Sequence, residues 1–146
     1  LTYSQSSDAK FYIPKNIYII GTMNTADRSL ALVDYALRRR FAFIEIMPSI
    51  SEKLSNHLTD NGVDEIVVNK IVSRISSLNK DISSDRNLGP GFQIGHSYFC
   101  PSDLGSEKDF ARWYESVIKY EIIPLLHEYW FDNVGEVKRW EAQLLE

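Results

Sequence analysis

Cysteine is nearly missing from this chain. Cys100 is the single one in 146 residues, so neither an internal disulfide nor a cysteine-based zinc site can be built, and a reducing cytoplasm is the expected home. Long apolar runs are missing too. None approaches the ~20 residues of a membrane-spanning helix, so no membrane association is expected. No basic stretch leading into an apolar one opens the sequence, and no signal peptide is read. Positive charge is not in excess: 16 Lys and Arg stand against 20 Asp and Glu, for a net charge of −4. That balance argues against a dedicated nucleic-acid surface, while leaving room for a local basic patch. The string G-x-x-x-x-G-K-[ST] does not occur, so the chain carries no phosphate-cradling loop of its own. The Asp64-Glu65 pair follows Asn61-Gly62-Val63 rather than an apolar strand, and reads as a helix start instead of a magnesium-binding acidic pair. No metal-ligand cluster and no Ser/His/Asp spacing stands out.

What is present is an ordinary globular composition, 44% hydrophobic and 25% charged, enough for one domain or a small core with an appended subdomain. Residues 1–10 are polar and begin with Leu1, as in a piece of a longer protein. Ile17-Tyr18-Ile19-Ile20 is a β-rich apolar run without alternation, which suits a strand covered on both faces of a parallel sheet. The polar loop from Thr22 to Arg28 follows at its C-terminal end, the edge where open α/β sheets place ligand chemistry. From Ser29 to Arg40 the spacing of Leu30, Val33 and Leu37 predicts a helix, with Phe41 expected to anchor its end in the core. Phe41 to Ile46 predicts a second buried strand, closed by Met47-Pro48. Residues 17–47 thus read as a βαβ crossover.

Beyond Pro48 the character is helical, and the domain boundary is drawn there. Ile50 to Leu58 predicts a short helix stopped near Asn61-Gly62. Asp64 opens a longer one in which Val67, Ile71, Ile75, Leu78 and Ile82 keep helical spacing. Phe92 to Cys100 suggests a strand or hairpin around Gly95. Lys108 to Tyr129 predicts a helix that Pro124 bends or breaks, and Glu136 to Leu145 a final amphipathic one.

Two constellations carry chemistry. Asn24, at the tip of a buried strand, is an amide able both to accept from a water and to donate to a phosphate oxygen. On residue type alone, closing a turn and capping the helix is the commoner use of Asn24 and Asp27. Arg38-Arg39-Arg40 ends the helix. One cation there would complement the helix dipole; three arginines exceed that need and suit phosphate recognition. Successive helical residues point about 100° apart, so at most two can aim at one ligand. His96, after Gly95, is a weaker candidate for a ligand-facing turn, since a histidine on an aromatic strand more often serves the core or an interface.

Taken together, IYIIGTMNTADRSLALVDYALRRRF, FAFIEIMP and GFQIGHSYFC resemble the McrB-type GTPase family of 5-methylcytosine-specific restriction systems. The resemblance is close over residues 11–48 and 88–100. It implies the fold: residues 1–48 as the C-terminal part of an AAA+ α/β P-loop core, a βαβ piece of a parallel sheet, and residues 49–146 as a mainly helical lid. It implies that Asn24 is the sensor of the γ-phosphate and that Arg39 and Arg40 act on a neighbouring subunit's nucleotide. Thr25, Asp27, Arg28 and His96 would organise the site and its subunit interface. Family members often carry arginine where Gln93 stands, so the lid's own contact with nucleotide would differ here. The resemblance further implies a hexameric ring, GTP (or ATP) with Mg2+ bound mainly by residues outside this chain, an McrC-type endonuclease partner, and methylated DNA read by a further N-terminal domain. The rival expectations are an AAA+-derived helical interaction module without NTPase activity, and an ATP-specific motor.

Overall fold

A computed structural model describes residues 13–23, 35–101 and 109–146. The chain divides into two compact units, residues 1–32 and 33–146.

In the first unit, residues 13–23 form a turn at Lys15-Asn16, with the Ile17 amide donating to the Pro14 carbonyl at 3.4 Å, and otherwise run without regular structure. Ile17, Tyr18, Ile19 and Ile20 are exposed, Tyr18 and Ile20 by 90% and 92%. In the second unit Phe43, Ile44 and Ile46 are exposed as well, and residues 42–50 are irregular. No strand occurs among the described residues, so the expected βαβ piece is not seen. The physical reason is that a strand exists only as a member of a ladder, and an apolar run without alternation needs a layer on each face. Neither run has both here.

The second unit owes its cohesion to helices. α1 (Tyr35–Arg38) is the described end of the helix expected over 29–40. α2 (Glu52–Asp60) stops where Asn61-Gly62 predicts. Gly62 takes φ +84°, the left-handed conformation that a side chain resists. The Gly62 amide then bonds to the Thr59 carbonyl (2.9 Å) and the Val63 amide to the Leu58 carbonyl (3.0 Å). This is the paired Schellman closure, with its usual apolar contact supplied by buried Leu58 and Val63. α3 (Glu65–Ser84) is the central element, packed by α2, α4 (Phe110–Val117) and α6 (Val134–Leu145). Its predicted stripe is buried throughout: Val67, Ile71, Ile75, Leu78 and Ile82. Tyr114, Val117, Leu126, Val137, Trp140 and Leu144 complete the core from α4, α5 (Ile123–Tyr129) and α6.

Two expectations are corrected. Residues 92–100 form no strand or hairpin: Pro90–Phe92 and His96–Phe99 are 3-10 turns around an extended Gln93–Gly95. At Pro124, where a bend or a break is expected, the helix is not broken. A π turn, Ile118–Ile122, links α4 to α5 with the flanking residues Val117 and Ile123 helical. Proline has no N–H to give to the carbonyl four residues back and its ring crowds that carbonyl. The wider turn before it relieves the clash, and the proline falls in the first turn of α5, where its missing donor costs nothing.

Candidate functional site

The turn that ends α1 presents the arginine run. Arg38, Arg39 and Arg40 are all exposed. The Arg38 guanidinium lies 5.4 Å from the centre of the Phe43 ring, a cation–π contact that commits it to its own chain. Arg39 and Arg40 follow in the turn that ends the helix. Phe41, expected to anchor this end in the core, is 42% exposed. The helix end is therefore braced through Arg38 and Phe43. Asn24, Thr25, Asp27 and Arg28 lie outside the described residues.

A second concentration of polar chemistry sits where the 89–99 segment crosses α3. Gly89 opens it with φ +88°, its amide donating to the Ile82 carbonyl at 3.2 Å. Asn79 is the one buried polar side chain among the described residues. Its amide donates to the Ile94 carbonyl (2.9 Å) and accepts the Ile94 N–H (2.6 Å), so a side chain mimics a strand's two-bond pairing. Without it, a buried N–H and C=O would each lose a partner, at about 1–3 kcal/mol apiece. Gln93 adds a clamp: its amide nitrogen donates to the Ser83 hydroxyl (2.7 Å) and to the Asn79 carbonyl (3.5 Å). Tertiary hydrogen bonds thus hold this segment extended and keep it from pairing as a hairpin.

The turn leaving α3 is built on Asp85. Its carboxylate accepts from the amides of Asn87 (2.7 Å) and Leu88 (3.3 Å) and from the Trp130 indole (2.9 Å). The indole bond first, then the Asn87 amide, holds this carboxyl below its ordinary range. On the other side of the unit, the Leu144 carbonyl receives Arg74 (2.8 Å) and the Tyr114 hydroxyl (2.9 Å). Burial pushes the Tyr114 phenol up, opposed by Arg74. Arg139 bridges Asp81 (2.6 Å) and Glu136. These are structural ties. Burial also raises the Cys100 thiol, which lowers its fraction of nucleophilic thiolate.

Asn79 and Gln93 also line an open groove of about 250 Å³ with Pro48, Ile50, Ser76 and Lys80. His96 lies nearby in sequence as the first residue of a 3-10 turn; it is exposed, so it is no core histidine. Sequence reasoning missed Asn79, Ser76 and Lys80. A signal for Asn79 existed: it sits directly after Leu78 and three residues before Ile82 on the buried stripe, where an amide must find partners. Among the described residues no group of His, Cys, Asp and Glu could hold a metal ion, and no helix is long and apolar enough to cross a membrane.

Residues 70–138 match the family described as McrB, alpha-helical lid domain, a span running from α3 into α6. The chain is also 44% identical, over an alignment of 147 positions that takes in 99% of its length, to the type IV methyl-directed restriction enzyme EcoKMcrB subunit of Escherichia coli (strain K12). It spans 32% of that relative, about a third. The helical unit, the match over 70–138 and the identity along nearly the whole chain support a McrB-type identity, and residues 70–138 match that family's alpha-helical lid.

Proposed function

We propose that the chain is the back part of a nucleotide-driven motor subunit in a methyl-directed restriction system. Residues 1–48 would end an α/β core of AAA+ type, and residues 49–146 would form its lid. The intact subunit would assemble into a hexameric ring in the cytoplasm, hydrolyse GTP between subunits, and drive an McrC-type nuclease on methylated DNA bound by another domain. The observation that carries this reading is the 44% identity along nearly the whole chain to a restriction-enzyme subunit.

The donors on this chain fit part of a nucleotide site. Arg39 and Arg40 are exposed cations at a braced helix end, suited to phosphate oxygens. No described cluster of carboxylates fits Mg2+, and the phosphate-loop string is not in the sequence, so the metal and most phosphate contacts are assigned outside the chain. Mg2+, where bound, would neutralise charge developing on the phosphates. Asn24 would hold the attacking water, and Arg39 and Arg40 would stabilise negative charge across a subunit boundary. In the full-length protein, Asn24→Ala should keep nucleotide binding and ring assembly while lowering turnover by orders of magnitude. An unimpaired GTPase rate in that variant would reduce Asn24 to a turn former.

A further inference from the structure

Three consecutive arginines close α1, and helical geometry lets at most two of them aim at one ligand. The structure shows what engages another. The Arg38 guanidinium sits 5.4 Å from the centre of the Phe43 ring, within reach of the ring's negative face. Arg38 is the last residue of α1, and Arg39 and Arg40 form the turn that follows it. Both therefore lie between the two partners of the contact, which closes the chain around them. A planar guanidinium stacks on an aromatic face as an ammonium does not, so an arginine suits position 38 for a reason other than phosphate.

The side chains after the turn fall into two sets. Phe41, Phe43 and Met47 are 42%, 49% and 41% exposed, whereas Ile44 and Ile46 are 84% and 87% exposed. Odd and even positions thus differ with the period of two that belongs to a strand, although the segment is irregular here. The odd-numbered set is the one that Arg38 meets through Phe43, and the even-numbered set is bare. A crossover helix packs on one face of its sheet. Pairing this run into a sheet in the full-length protein would cover Ile44 and Ile46 without taking Phe43 from Arg38.

We propose that Arg38 and Phe43 are a positioning pair for the arginines delivered across the subunit boundary. Arg38 does not touch the nucleotide; it fastens the helix end to Phe43 and so fixes the direction of Arg39 and Arg40. The proposal rests on the reading of Arg39 and Arg40 given above and adds to it the two residues that aim them.

The experiment uses rings mixed from two full-length subunit types, with steady-state GTP hydrolysis as the readout. One type lacks the phosphate-loop lysine and supplies only arginines. The other carries Arg39→Ala/Arg40→Ala and supplies only the nucleotide site. On the arginine-supplying type, Phe43→Leu should lower kcat of the mixed ring about two- to fivefold, the size of one exposed cation–π contact, and leave KM unchanged. On the nucleotide-holding type the same substitution should leave kcat alone. Phe43→Tyr, which keeps the ring, should retain the rate. Arg38→Met on the arginine-supplying type should match Phe43→Leu, and the two together should cost no more than one, since they break a single contact. Arg38→Met by itself decides the matter should Phe43→Leu fail to assemble. A loss of about 10³-fold or more in Arg38→Met, the size of a missing trans arginine, would make Arg38 a nucleotide contact and overturn the proposal. So would equal losses in Phe43→Leu and Phe43→Tyr, or a loss that follows the nucleotide-holding subunit. Mixed rings that regain activity and are indifferent to Phe43→Leu would overturn the positioning pair while leaving the role of Arg39 and Arg40 standing. Mixed rings that stay inactive before any change at Phe43 would overturn both.

Discussion

Residues 13–47 are richer in apolar residues than residues 52–145, yet the two stretches use their apolarity in opposite ways. In the helical stretch, Ile71, Ile75, Leu78, Ile82, Leu126 and Leu144 have no solvent exposure. In the earlier stretch, Tyr18, Ile20, Ile44 and Ile46 are 84–92% exposed. Helices satisfy their own backbone and need only one apolar face covered, so one α3 with its neighbours closes a core by itself. A buried strand needs hydrogen-bonded neighbours at both edges and a layer on both faces. The contrast teaches that a run's hydrophobicity reports how much surface must be covered, and its periodicity reports by how many partners.

The comparison can be broken at its strong side first. Leu78→Ala should destabilise the chain by about 2–5 kcal/mol, read from urea unfolding followed by circular dichroism. A cost below about 1 kcal/mol would mean that the α3 stripe is not the core. A smaller effect belongs to Asp85. Its carboxyl is held low by the Trp130 indole and the Asn87 and Leu88 amides, so its contribution is present above the unfolded carboxylate range of about 3.9. It is lost as pH falls through the lower folded value. Unfolding midpoints of the native chain and Asp85→Asn should therefore differ at pH 6 and converge towards pH 3; a constant gap would contradict the bond. The smallest effect is expected at Ile44, 84% exposed. Ile44→Ala should change the stability of this chain by no more than about 0.5 kcal/mol. In the full-length protein the same substitution should cost about 2–5 kcal/mol, if the run is there a covered strand.

Much of the lid was legible in the sequence because its rules are local. The 67-71-75-78-82 stripe names one helix face, and Asn61-Gly62 names a helix stop whose left-handed glycine the structure contains. The misreadings have two origins, tertiary contact and local adjustment of the backbone or of near neighbours. Phe92, Ile94 and Phe99 look like strand residues, but Asn79 and Gln93 pin that segment to α3. Pro124 looks like a break, but the π turn before it absorbs the missing donor. Phe41 looks like an anchor, yet its neighbour Phe43 takes the contact with Arg38. The arginine run stands out in the sequence by its excess of cations, whereas the groove does not. Its wall draws on residues 48, 76 and 93, which only the packing of the fold brings together.

The central claim is that Arg39 and Arg40 act on a neighbour's nucleotide. Full-length Arg39→Ala/Arg40→Ala subunits should be mixed with subunits lacking the phosphate-loop lysine, and GTPase activity measured across mixing ratios. Each variant alone should be nearly inactive, since an arginine supplied in trans contributes about 10³–10⁵ in rate, whereas a helix-end cation lost as a cap costs only about 0.3–1 kcal/mol of stability. Mixed rings should regain part of the activity, because some boundaries then pair an intact phosphate site with intact arginines. An arginine double variant that keeps the normal rate and merely melts slightly earlier would contradict the account.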